Sequence, residues 1–161
     1  MVTIEYNSIG VIHSRFQAPA GTPIQPTAAK GEQGQVEVFT KYAEGLKDLD
    51  GFSHIYLLYH CHRSKPYSLR VKPFLDNIYR GLFATRAPAR PNPIGLSIVR
   101  LIGIEKNVLT VEDVDIVNGT PLLDIKPYVP QFDVHEVETC GWLQKPSQKV
   151  EDAMDDGRFS K

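Results

Sequence analysis

The apolar residues of this chain fall in short runs, most of them alternating with polar neighbours, and such runs predict strands rather than helices. Ile4 to Ser14 reads as a first strand, with Ile9, Val11 and Ile12 apolar and Gly10 marking a bulge or a close backbone approach. Gln35 to Phe39 alternates as a half-buried strand. Tyr42 to Leu49 predicts a short amphipathic helix, stopped by Asp50-Gly51. Phe52 to His62 is almost continuously apolar and aromatic, which predicts a central strand buried on both faces. Ile94 to Ile104 and Val108 to Val117 follow as strands around a Lys106-Asn107 turn. Asn118-Gly119-Thr120-Pro121 is a tight turn with positive φ available at Asn-Gly. In Leu122 to Tyr128, Asp124 and Lys126 share one face and Leu123 and Ile125 the other. Pro127 and Pro130 end that strand, and the acidic stretch Lys145 to Asp156 reads as a terminal helix capped by Ser147. About seven short strands with few helices and many turn residues make the chain mainly β, a barrel or a sandwich.

Three stretches break the alternation. Arg15 to Gln35 holds Pro19, Gly21, Pro23, Pro26, Gly31 and Gly34, an irregular segment long enough to suggest a functional loop. Within it Gln25 is pinned between two prolines and offers both an amide donor and an acceptor. Arg63 to Arg80 is a loop in which Lys and Arg interleave with Tyr, Phe and Pro, a composition that suits phosphates and stacked bases. Gly81 to Gly95 opens as a short apolar strand and then sets Arg86, Arg90 and Asn92 among Pro88, Pro91 and Pro93. Three prolines stiffen such a loop, and a guanidinium held still presents a fork of donors to a carboxylate or phosphate.

At 161 residues the chain is long enough for one domain with one core, read here as residues 1–145, followed by an acidic tail over 146–161. Its net charge of −1 argues against indiscriminate binding of nucleic acid. The charge is uneven, however: residues 60–100 carry eight basic side chains and one acidic, a candidate footprint for a polyanion. No apolar run approaches a membrane span and no secretory signal opens the sequence. Cys61 and Cys140 are too few for a disulfide framework and fit a reducing cytoplasm. His60 and His62 lie two apart on the central strand, but no further ligands stand at metal spacing, so buried, hydrogen-bonded histidines and no metal are expected. No Gly-x-Gly-x-x-Gly follows a strand, which excludes a Rossmann cofactor site.

Five blocks in this order carry a resemblance. They are Gly10-Val11-Ile12-His13-Ser14, Pro23-Ile24-Gln25-Pro26, Gly51-Phe52-Ser53-His54, the run Phe83-Ala84-Thr85-Arg86 with Arg90-Pro91-Asn92-Pro93-Ile94-Gly95, and Asn118-Gly119-Thr120-Pro121 with Asp124-Ile125-Lys126-Pro127-Tyr128. Together they resemble the TsaA-like, or TrmO, family of tRNA methyltransferases over roughly residues 4 to 130. The resemblance implies a single-domain, non-Rossmann β-barrel with short helices and long functional loops. It implies S-adenosylmethionine as methyl donor, and as acceptor N6 of threonylcarbamoyladenosine at position 37 in the tRNA anticodon loop. It further implies a homodimer in the cytoplasm. Carried over residue by residue, the cofactor site comprises Pro23, Ile24, Gln25, His62, Arg63, Arg90, Leu101, Leu123, Asp124, Ile125 and Lys126. The chain has the compact form, without the further C-terminal domain of some bacterial members, and Ile24 stands where some relatives carry a basic residue.

Methyl transfer requires alignment of nucleophile, methyl carbon and sulfur, and exclusion of water. An acylated adenine nitrogen is weakly basic, so loss of its proton assists attack. Asp124 is the candidate either to polarise that N–H or to hold a cofactor amine, and the sequence leaves both open. Arg90 is expected to bind the cofactor carboxylate or a tRNA phosphate. The residues also leave open a module that holds S-adenosylmethionine without transferring its methyl group, and a methyltransferase for a small-molecule acceptor.

Overall fold

The alternating runs close into a six-stranded antiparallel barrel. A computed structural model describes residues 2–144 and 153–160. Its strands are β1 (Gly10–His13), β2 (Gly34–Val38), β3 (His54–His60), β4 (Arg70–Val71), β5 (Arg80–Gly81), β6 (Ile94–Glu105), β7 (Val108–Glu112) and β8 (Thr120–Pro127), followed by one helical turn, α1 (Pro130–Asp133). The barrel order is β1-β2-β7-β6-β3-β8, with β8 paired back to β1. β4 and β5 form a separate two-stranded hairpin. Closure leaves no free edge among the six, so their backbone donors and acceptors are used internally.

Alternation decides what fills the barrel. Ile12, Val36, Val38, Ile55, Leu57, Val99, Leu109, Val111 and Leu122 pack inside, joined by Val114 and Ile116 from the segment after β7. Each such side chain contributes roughly 1.5–3 kcal/mol by leaving water, before chain entropy is subtracted. Gly10 is where β1 and β2 come too close for a side chain, since a Cβ there would stand 2.2 Å from the Glu37 carbonyl oxygen. A second, smaller core holds Val71, Leu82, Ala87, Ala89 and Phe159, with Phe74 packed against it. Phe74 and Phe159 meet edge to face at 5.1 Å between ring centroids. This core ties the β4–β5 hairpin and the proline-rich loop to residues 153–160.

Several sequence expectations need correction. The first strand is only Gly10–His13; Ile4 is largely exposed and Gly10 is where pairing begins. The expected helix over Tyr42 to Leu49 is two 3₁₀ turns, Thr40–Leu46 and Leu49–Gly51. β3 is buried on one face only, Ile55 and Leu57 inward, because a barrel strand has a solvent side. Its histidines are consequently not buried: His54 is half-buried, and His60 and His62 are exposed. β7 stops at Glu112, where Asp113 adopts a left-handed φ of 67° and accepts the Gly31 N–H at 2.7 Å. The loop expected over Arg63 to Arg80 contains β4, and the expected strand after Gly81 is a 3₁₀ turn, Leu82–Ala84. Ser147 and the first part of the expected terminal helix lie outside the described residues. Residues 153–160 form no helix: isolated bridges join Met154 to Pro23 and Ser160 to Ser64, and between them the chain turns at Gly157, where φ is 85°.

Candidate functional site

One mouth of the barrel opens into a cleft of about 1110 Å³. Its walls come from the loop around Pro23, the end of β3, the 83–90 loop, the start of β6, residues 115–120 and the segment ending at Ser160. The aliphatic filling of the barrel turns polar there. Along the inward face of β3, Ile55 and Leu57 are followed by Tyr59; along β6, Val99 is preceded by Ser97 and Gly95.

Six of the residues carried over from the resemblance line this cleft: Pro23, Ile24, Gln25, His62, Arg63 and Arg90. The Gln25 amide is fixed at both ends, donating through Nε2 to the Ile24 carbonyl at 2.7 Å and accepting from Arg86 Nη1 at 2.8 Å. Arg63 Nη1 donates to the Gln17 carbonyl. His62 Nδ1 lies 3.4 Å from the Thr120 hydroxyl, and partial desolvation of the ring at the cleft wall, followed by the neighbouring Arg63 and His60, holds its pKa below the ordinary histidine value.

Arg90, in the cleft wall, is also tied into its own loop. Its Nη1 donates to the Thr85 carbonyl at 2.9 Å and to the Ala87 carbonyl at 3.4 Å, and its guanidinium sits over the Phe83 ring at 5.6 Å. Thr85 Oγ1 in turn donates to the Leu82 carbonyl at 2.8 Å. The loop is therefore stiffened by arginine as well as by proline. Arg86, which stands in a motif of the resemblance but not among the residues carried over to its cofactor site, reaches into the cleft beside Gln25. Arg63, Arg86 and Arg90 all donate to neutral acceptors, and none is in an ion pair among the described residues. Their charges are thus not cancelled locally, which suits an anionic ligand.

Leu101, Leu123, Asp124, Ile125 and Lys126 are not part of the cleft wall. Leu101 and Ile125 pack against the barrel core. Asp124 and Lys126 pair with each other at 2.8 Å with both side chains well exposed, an arrangement worth at most about 1 kcal/mol. On β8 only Thr120 reaches the cleft, and Asp124 lies four residues, about 13 Å, farther along the strand.

Two groups of lining residues went unnoticed in the sequence. Tyr59 and Asp115 are hidden in apolar runs, although a charged residue between Val114 and Ile116 is a usable signal. Tyr59 Oη lies 3.0 Å from Ser97 Oγ, which donates to Asp115 Oδ1 at 2.7 Å. Burial pushes the Asp115 carboxyl up to about 6, against the Ser97 bond, its own backbone N–H and Arg86. Burial, aided by Asp115, likewise raises the Cys61 thiol to about 11. The other group is the far segment: Asp155, Phe159 and Ser160 line the cleft, and Trp142 closes its rim, donating from Nε1 to the Ala84 carbonyl at 2.8 Å. Among the described residues no three His, Cys, Asp or Glu side chains gather as metal ligands, and no helix is long and apolar enough to cross a membrane.

Residues 11–134 match the model of the tRNA-methyltransferase O N-terminal domain. A protein of Pyrococcus abyssi named a probable S-adenosyl-L-methionine-binding protein is 58% identical over 154 residues, covering 96% of this chain and 84% of that protein. The human tRNA (adenine(37)-N6)-methyltransferase is 34% identical over 132 residues, 78% of this chain and 30% of the human protein. The crystal structure of TrmO from Pseudomonas aeruginosa superposes with a TM-score of 0.73 at 36% identity, covering 88% of this chain and 63% of that one. The chain thus spans less than two thirds of the length of that TrmO.

Proposed function

The chain belongs to the tRNA-methyltransferase O family, and on that premise we propose that it transfers the methyl group of S-adenosylmethionine to N6 of threonylcarbamoyladenosine 37 in a tRNA anticodon loop. One observation carries the reading. Six residues distant in sequence, expected in the cofactor site from motif resemblance, line a single cleft together with uncancelled arginine charge. The cleft volume exceeds the need of a nucleoside cofactor alone, leaving room for an acceptor base. Gln25 offers a fixed amide for an adenine edge, and Arg63 and Arg86 offer donors for a carboxylate. Two carboxylates are on offer in this chemistry, one on the cofactor and one on the threonylcarbamoyl group. When bound, the sulfonium supplies an activated methyl group whose leaving group needs no protonation. What remains to the protein is alignment, exclusion of water and removal of the acceptor proton.

We further propose that the working form is a homodimer in the cytoplasm. The outward face of β6 presents Ile94, Leu96, Ile98 and Ile102, all exposed, where an isolated barrel would carry polar side chains. Ile94 and Leu96 also line the cleft, so the apolar row runs out from its edge. A second copy seated on that row would explain how Leu101 and residues 123–126, remote from the cleft of their own chain, could serve the cleft of the other.

The test uses methyl-labelled S-adenosylmethionine with two tRNA preparations, one bearing the threonylcarbamoyl group and one lacking it. Label entering only the modified tRNA is the expected result. The competing reading is a binding module, favoured by the naming of the Pyrococcus relative as a binding protein. Cofactor binding without transfer to either tRNA would select it.

A further inference from the structure

The barrel mouth holds a hydrogen-bond chain with a fixed direction. Ser97 has one hydroxyl hydrogen, and it goes to Asp115 Oδ1 at 2.7 Å. The 3.0 Å contact between Tyr59 Oη and Ser97 Oγ must therefore run from the phenol to the serine. Donors line up as Tyr59 to Ser97 to Asp115, and the chain ends on a carboxylate in the cleft wall. Oδ2 of that carboxylate accepts no side-chain hydrogen bond among the described residues. Three separate elements converge to build this, β3, β6 and the segment after β7. The fold also makes room for it, since a Cβ at Gly95 would collide with the Tyr59 ring at 2.1 Å. A recessed, oriented carboxylate in the wall of a cleft that also carries Arg63, Arg86 and Arg90 is an arrangement that structural needs of the barrel do not explain. An aliphatic residue would fill the position at less cost.

We propose that Asp115 is the catalytic proton acceptor of the methyl transfer, held and oriented by Ser97 and Tyr59. The proposal rests on the methyltransferase reading above. In the step, the acceptor nitrogen forms a bond to the methyl carbon as the carbon–sulfur bond breaks, with its electron pair passing to sulfur. The proton on that nitrogen passes to Asp115 Oδ2. The products are a methylated nitrogen, a neutral thioether and a protonated Asp115, which returns its proton to water after release. The titratable and charged groups facing Asp115 are Tyr59 from β3, Cys61 just after it and Arg86 from the 83–90 loop. Burial keeps Tyr59 well above its ordinary value and Cys61 at about 11, so both stay protonated near neutrality. Asp115 is thus the member of this group that changes state between pH 5 and 7, and a base poised near the working pH is the effective kind.

The experiment is single-turnover transfer from labelled S-adenosylmethionine to threonylcarbamoylated tRNA between pH 5 and 8, with cofactor affinity measured alongside. The wild-type rate is expected to rise about tenfold per pH unit up to about pH 6 and then level off. Asp115→Asn, nearly isosteric, is expected to bind the cofactor within about twofold of wild type and to transfer methyl on the order of 10²-fold more slowly, with a flat profile. Ser97→Ala removes a donor that favours the ionised carboxylate, so it should move the midpoint of the profile to higher pH. An Asp115→Asn rate near wild type, a fall in its cofactor affinity that matches its loss of rate, or an unmoved midpoint in Ser97→Ala would each overturn the assignment. A wild-type chain that binds the cofactor and methylates no tRNA would instead remove the methyltransferase reading, and the assignment with it.

Discussion

The phenol ring of Tyr59 lies directly on the backbone of Gly95, its cross-strand partner, so closely that a Cβ at position 95 would stand 2.1 Å from Cε2 and 2.4 Å from Cζ. Ring and glycine are one packing unit. Gly95→Ala should expel the ring, break the bond from Tyr59 to Ser97, and destabilise the fold by about 1–3 kcal/mol. Urea unfolding reads the loss. Methyl transfer should fall with it, while an alanine at Gly45, where a Cβ meets nothing within 4 Å, should change neither.

Arg90 and Arg86 should separate cleanly. Arg90 Nη1 donates to the carbonyls of Thr85 and Ala87, so Arg90→Ala should lower folding stability by about 1–2 kcal/mol and loosen the loop. Arg86 bonds one glutamine at the cleft, so Arg86→Ala should stay within about 0.5 kcal/mol of wild type yet weaken ligand binding. Denaturant midpoints and calorimetric titration with S-adenosylmethionine and tRNA distinguish the two.

The raised pKa of Asp115 has a thermodynamic signature. The native state holds its proton up to about pH 6, whereas the unfolded chain releases it near the ordinary aspartate value of 3.8. Between those values the native state binds more protons, so this group makes stability fall as pH rises from about 4 to 6, with no further change above. Asp115→Asn removes that cost. It should be more stable than wild type at pH 8, by on the order of 2 kcal/mol, with the gap closing toward pH 4. Thermal melts of the pair across that range test it.

A charge placed in the exposed apolar row of β6 should report on assembly. Ile98→Glu, on the outer face, should leave the barrel folded and shift sedimentation from dimer to monomer. If the row is instead ordinary surface, wild type and variant will sediment alike.

Phe159 is 6% exposed and anchors the second core against Phe74. Phe159→Ala should cost about 3 kcal/mol locally. Hydrogen exchange should quicken at Gly21 and Ile24, whose amides bond Asp155 and Ala153, while the barrel strands keep their protection.

The strands were readable because a barrel imposes a period of two: β2 and β6 were placed to within one residue, whereas β8 begins at Thr120, inside the expected Asn118 to Pro121 turn. The same period was misread in β3, where Tyr56, Leu58 and Tyr59 make an apparently continuous run although only alternate residues face the core. The failed helix at Tyr42 reflects a segment whose Gly45 and single buried Leu46 cannot sustain an α-helical stripe. At the site, prolines and arginines announced a stiff cationic loop, but not that Arg90 bonds carbonyls of that loop while Arg86 bonds Gln25. That division depends on which carbonyls lie within reach. Asp115 was masked by its own surroundings, because a polar residue at a barrel mouth sits in a run written mostly for the interior. Nothing local in residues 153–160 could announce that they pair with Pro23 and Ser64.

The barrel closes when β8, ending at Pro127, pairs with β1, and every strand in it precedes residue 128. The cleft waits for residues 153–160, which come some 25 positions later in the chain. During synthesis, then, a nascent chain can complete its scaffold while one wall of the cleft is still inside the ribosome. The sequence order thus places the whole scaffold ahead of the segment that completes the cleft.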